Sequence, residues 1–110
     1  MMRLAMSPAA SGLLRALIRR GNCPRDRILL IEHRSVEWQS LTFLGERHEL
    51  ALRIAGPGAE DIAGVIARGI ADTEFAISGH IVADISCADD RRAASDGSVM
   101  LRIEALTIED

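Results

Sequence analysis

The sequence predicts an α+β fold, a two-layer sandwich in the order α-β-β-α-β-β with a mainly antiparallel sheet of about four strands and helices packed on it. Three observations carry this. Apolar residues alternate with a period of two at Leu50, Leu52 and Ile54, and again at Ile81, Ala83 and Ile85, as half-buried strands require. Others recur at helical spacing, in Leu13, Leu14, Leu17 and Ile18 and in Ile62, Val65, Ile66, Gly69 and Ile70. The chain has 110 residues, which suits a single domain over 1–110 with one core and is too short for two.

In chain order, Ser7 is placed to cap a helix, Pro8 occupies its first turn and Gly21 stops it. Residues 1–22 therefore form an amphipathic N-terminal helix whose outer face carries Arg15, Arg19 and Arg20. Ile28 to Ile31, then Val36 and Trp38, predict a long strand with a bulge near Arg34 and Ser35, a short helix over 24–33 being the competing possibility. Leu41 and Phe43 continue the alternation to a turn at Leu44 to Arg47, which sets Leu41 opposite Leu50, Phe43 opposite His48 and Trp38 opposite Arg53. Ala55-Gly-Pro-Gly58 then breaks the strand, with Gly56 as cap and Pro57 as first residue of a helix reaching Ile70. His80 to Ser86 is a third strand, 88–97 a long polar and mobile loop, and Val99 to Ile108 a last strand. Its apolar parity changes between Ile103 and Leu106, which predicts a bulge or a register change there.

Composition excludes more than it selects. With 48% hydrophobic and 26% charged residues and a net charge of −3, the chain is an ordinary globular sequence with no bias toward nucleic acid or acidic substrates. No apolar run reaches the roughly 18 residues of a membrane span. All thirteen basic residues are Arg, the codon habit of a GC-rich, bacterial genome. Cys23 and Cys87 have neither CxxC nor metal-ligand spacing, which fits reduced thiols in a cytoplasm. Three helical arginines without aromatic partners are too few to drive nucleic-acid binding. An anion at Ala55 to Ala59 would lose one donor to Pro57 and meet Glu60 and Asp61.

The groups able to form an acid/base cluster are Glu46, Arg47, His48, His80 and Asp84, with Glu46-Arg-His48 placed in the hairpin turn. His80 and Asp84 lie on one strand face but roughly 13 Å apart at about 3.3 Å per residue, so only a neighbouring strand can complete a site between them. Trp38 over Arg53 is a candidate binding platform joined by a cation–π contact. No spacing asks for a metal or other cofactor, and none places a nucleophile beside a base.

Two functional classes follow. One is a non-enzymatic module that binds a protein partner or its own copy; the other is a small enzyme or ligand-binding protein with a pocket at the five polar residues. The helix at 62–70 can cover one sheet face only, leaving the N-terminal helix, tethered by Asn22 to Pro24, as lid for the other. A peripheral or exchanged N-terminal helix, and a homodimer, are the expected consequences.

Overall fold

The structure is a computed structural model that describes residues 5–88 and 92–110. Helix α1 spans Pro8–Gly21, strands β1 and β2 span Ile28–Gln39 and Leu44–Ile54, and α2 spans Ala59–Ala67. Strands β3, β4 and β5 follow at His80–Cys87, Arg92–Ala93 and Val99–Glu109. The four long strands run antiparallel in the order β1-β2-β5-β3, and the two-residue β4 pairs with β5. The α-β-β-α-β-β order and the antiparallel sheet are those the sequence predicts. No helix of the described residues is long and apolar enough to cross a membrane.

Each helix terminates for an identifiable reason. Ser7 Oγ accepts the Ala10 amide at 3.2 Å, and Pro8 occupies a position where its missing N–H costs nothing. The C-terminal stop is Asn22 in the left-handed conformation, not Gly21, which is the last helical residue and is buried against Ile28 and Ile66. Helix α2 begins later and ends earlier than its apolar pattern suggests. Gly58, not Gly56, is the left-handed cap, and the helix stops at Ala67 before a 3-10 turn at Ile70–Asp72. Its buried side is Ala59, Ala63 and Ile66, while Val65 points outward, because alanines let the helix axis approach the sheet more closely than a branched side chain would.

Two arginines close backbone ends. Arg20 Nε donates to the Ile66 carbonyl at 2.7 Å and its Nη2 donates to the Arg68 carbonyl, satisfying the C-terminus of α2. Arg27 donates to the carbonyls of Ala55 and Pro57, so a cation ties the break after β2. Arg20 is thus a structural cap, leaving Arg15 and Arg19 exposed on α1.

The turn between β1 and β2 is Ser40 to Phe43. Ser40 Oγ accepts the Phe43 amide at 3.1 Å, and the Ser40 amide donates to the Phe43 carbonyl at 2.9 Å. Trp38 therefore lies opposite Gly45, His48 opposite Ser35 and Leu50 opposite His33, each partner eight residues from the predicted one because the turn comes four residues earlier. The bulge of β1 falls at Ile31, between Leu30 and Glu32, and residues 25–27 form only a 3-10 turn before the strand starts. Strand β5 pairs with β2 without interruption, so the expected bulge between Ile103 and Leu106 is absent. The irregularity lies in β3 instead, at Ala83. Of the predicted 88–97 loop, residues 89–91 lie outside the described residues. Beyond them Ala93 pairs with Val99, and the Ala94 amide donates to the Ser98 carbonyl at 2.7 Å, closing a short hairpin.

One core results. Leu13 and Leu17 of α1 and Ala63 and Ile66 of α2 share a cluster with Leu50, Leu52 and Ile54 of β2 and Val99, Leu101 and Ile103 of β5. Both helices therefore lie on the same side of the sheet. The N-terminal helix is not the lid of the second face, and Trp38 has no core of its own beneath it. That second face carries Val36 and Trp38, Arg47 and Glu49, Glu104 and Leu106, and Asp84, and no helix of the described residues covers it.

Candidate functional site

The five polar residues singled out in the sequence divide between the two sides of the sheet. Glu46 and His48 alternate with Arg47 along β2, so the first two face the helices and Arg47 faces away. The bulge at Ala83 divides His80 from Asp84: His80 pairs with Glu109 in line with the inner residues Thr107 and Val82, whereas Asp84 pairs with Leu106 on the outer face. The shared strand face expected for His80 and Asp84 is therefore lost, because one extra residue inverts every side chain beyond it.

On the inner side His48 is almost wholly buried, and both ring nitrogens are engaged. Nδ1 lies 2.7 Å from Ser35 Oγ and Nε2 lies 2.8 Å from Thr107 Oγ1. Three strands contribute this chain of groups. One nitrogen donates and the other accepts in the neutral ring, and the two hydroxyls rotate to suit. Burial pushes the imidazole below its ordinary pKa; the Glu46 carboxylate pulls the other way, and His80 adds a smaller downward push. His48 is thus a neutral, fully bonded part of the core, a polar tie between β1, β2 and β5. His80 stands apart from it in bonding, its Nδ1 donating to the Ser78 carbonyl at 3.0 Å.

A pH dependence follows. A group whose folded pKa is depressed leaves the folded state with fewer protons than the unfolded one, so His48 contributes full stability above its ordinary value of about 6.5 and loses it as pH falls below that. Urea unfolding at pH 7.5 and 5.5 is expected to show a lower midpoint at the acid value, with a smaller difference in His48→Gln. An equal difference in the two proteins would assign the effect to other groups.

On the outer side Arg34, Arg47, Glu49, Asp84 and Glu104 surround a shallow cleft of about 320 Å³ that His48 also lines, so the cleft gathers Arg47, His48 and Asp84 of the five candidates. Arg34 and Glu49 form a long ion pair at 3.8 Å with both side chains mostly exposed. At the hairpin end the cross-strand line is Trp38, Gly45, Ile108 and Ile81, followed by Val36 beside Arg47 and Leu106 beside Asp84. Val36 is 46% exposed and Ile81 51% exposed. The exposed Leu41 and Phe43 lie in the turn next to this apolar surface.

The other half of the predicted platform lies elsewhere. Arg53 opposes Leu29 and Met100, eight residues along β2 from the strand partner of Trp38 and roughly 26 Å away at about 3.3 Å per residue. No cation–π contact joins them. Arg53 Nε instead donates to Ser98 Oγ at 3.1 Å, and its guanidinium pairs with Asp96. Asp96 also accepts the Ser98 amide and hydroxyl, and these bonds hold its carboxyl below the ordinary value.

Two features escaped the sequence reading. The Ser35–His48–Thr107 chain joins residues from three strands and needs the register to be seen. The outer apolar row did leave a signal, in the change of parity at Leu106 and Ile108. Ala105 and Thr107 continue the buried side while Leu106 and Ile108 furnish the outer one, both half-buried. Among the described residues no group of three or more His, Cys, Asp or Glu side chains is placed to hold a metal ion.

The architecture defines a class, a two-layer α+β protein with both helices on one side of an antiparallel sheet. No family model matches the chain, and no curated protein shows significant similarity to it.

Proposed function

We propose that this bacterial protein is a non-enzymatic, self-associating module whose working surface is the outer face of its sheet, and that it acts as a homodimer in the cytoplasm. The observation that carries this reading is the apolar row Trp38, Ile108 and Ile81 with Val36 and Leu106 beside it, on a face that no helix of the described residues covers. A contiguous apolar surface rimmed by charge on a small protein marks an interaction site. The same rim of both charge signs suits a protein surface better than a polyanion. A pocket built from Glu46, Arg47, His48, His80 and Asp84 is the weaker alternative, because the cleft holds Arg47, His48 and Asp84 without Glu46 or His80, and His48 has no ring nitrogen to spare.

Trp38 is the only tryptophan and stands on the proposed interface, so its accessibility reports on assembly. Acrylamide quenching at high protein concentration is expected to be weak and to rise on dilution. Strong, concentration-independent quenching would remove the proposal.

A further inference from the structure

We infer that a second copy stacks on the outer face about a two-fold axis parallel to the strands, bringing Trp38 over Ile81 of the other copy and Arg34 and Arg47 toward Asp84 and Glu104. This rests on the self-association proposed above and specifies its geometry.

The registers arrange the outer side chains as a grid. Its columns are β1, β2, β5 and β3; its first row is Trp38, Gly45, Ile108 and Ile81, and its second is Val36, Arg47, Leu106 and Asp84. The third row is Arg34, Glu49, Glu104 and Ser86, and the fourth runs from Glu32 through Ala51 to Arg102. In the second and third rows the β1/β2 half holds both arginines and one acid, while the β5/β3 half holds two acids and no arginine. In the fourth row the signs reverse, with Glu32 on the β1 side and Arg102 on the β5 side.

Closed pairing of one face with itself needs a two-fold axis lying between the two sheets. An axis along the strands keeps every row and exchanges the halves. Arg47 then lies over Leu106 and Arg34 over Ser86 of the second copy, each next to Asp84 and Glu104 in the grid, and the apolar row covers itself, with Gly45 leaving room for Ile108 of the second copy. Two like-charged meetings arise, Glu49 of each copy over Glu104 of the other, flanked by Arg34 and Arg47 of both copies, and Val36 of each copy faces Asp84 of the other. An axis across the strands keeps the columns and inverts the rows. About the third row it sets Arg34 on Arg34, Glu49 on Glu49 and Glu104 on Glu104, with Trp38 over Leu29, Gly45 over Arg53 and Ile108 over Met100.

The charges remain available for such pairing. Arg34–Glu49 and Arg102–Glu32 span 3.8 and 3.9 Å, and each of the four side chains is more than 60% exposed. The area also suffices. Four strands about 4.8 Å apart and nine residues of about 3.3 Å give a footprint of roughly 600 Å². Side-chain relief and the neighbouring Phe43 bring this toward the roughly 800 Å² per partner of a standard interface. Two stacked sheets sit about 10 Å apart, a distance long charged side chains span.

Arg34 and Asp84 occupy opposite edge strands and line one cleft of the same chain, so the coupling between copies is read from rescue in a mixture of two separate variants. Both are exposed, and Arg34→Glu and Asp84→Arg leave the core untouched. Each variant alone is expected to dissociate at least tenfold more readily than the wild type in sedimentation, with an unchanged circular dichroism spectrum. An equimolar mixture of the two is expected to recover the dimer mass. Variants that stay as tight as wild type, or a mixture that stays monomeric, would overturn the geometry while leaving another dimer open. A wild type that is itself monomeric would overturn self-association as well.

Discussion

Leu52→Ala is expected to destabilise the protein by roughly 2–5 kcal/mol, the range for a fully buried leucine whose removal leaves a cavity. Leu52 is wholly buried between Leu30 and Leu101 on the neighbouring strands, in the one cluster that both helices share. A small domain has only about 5–15 kcal/mol in total, so this single truncation removes a large fraction of it. The adjacent residue provides the control. Ala51 is 3% exposed, yet it points to the outer face between Glu32 and Arg102, where an added hydroxyl finds polar neighbours and water. Ala51→Ser is expected to cost less than about 1 kcal/mol. Urea denaturation of the two variants measures the contrast, and equal losses would mean that the core face has been assigned to the wrong side.

Gly45→Ala is expected to cost about 1–3 kcal/mol, as an overpacked position does. Gly45 sits inside β2 between Trp38 and Ile108, and a methyl group there runs into the main-chain carbonyl of Thr107. The obstacle is backbone, so no rotamer change relieves it and the β2–β5 ladder must shift. The sign decides the matter. At an unobstructed position the same substitution stabilises by about 0.4–1 kcal/mol, because alanine restricts the unfolded chain. Amide exchange at residues 44–46 and 107–109 is expected to quicken in the variant; unchanged exchange with higher stability would show that the two strands are not this close.

Gly45 also explains why the register was harder to see in the sequence than the elements. A glycine after Leu41 and Phe43 signals a turn, and four residues of loop were placed around it; here it serves close approach between strands, while Ser40 builds the turn with its hydroxyl. Moving the turn by four residues shifts each cross-strand pairing by eight, an even number, so the buried side of Leu50, Leu52 and Ile54 is unchanged. The bulge at Ala83 was less forgiving. Ile81, Ala83 and Ile85 alternate in sequence as a regular strand would, yet Ile81 is exposed and Ile85 buried, because the extra residue moves them to opposite faces. That local feature separates His80 from Asp84 and dissolves half of the polar cluster.

The helices were legible where capping chemistry was local, as at Ser7 and Pro8, and misjudged where small residues carry the packing. Ala59 and Ala63 contribute little to an apolar pattern, but they are what the sheet accepts. The placement of α1 beside α2 was not legible at all. Gly12 lies so close to Ile77 that a Cβ there would sit 2.6 Å from its Cγ2, a tertiary contact with no signature in either segment. With both helices on one side, the proposed self-association uses the side that no helix of the described residues covers.

The mass of the intact protein in solution tests this most directly. One chain weighs 11.9 kDa, and light scattering at micromolar concentration is expected to return about 24 kDa, the two-fold pairing commonest among closed assemblies. A single species near 12 kDa, unchanged up to the highest concentration reached, would contradict self-association through the outer face of the sheet.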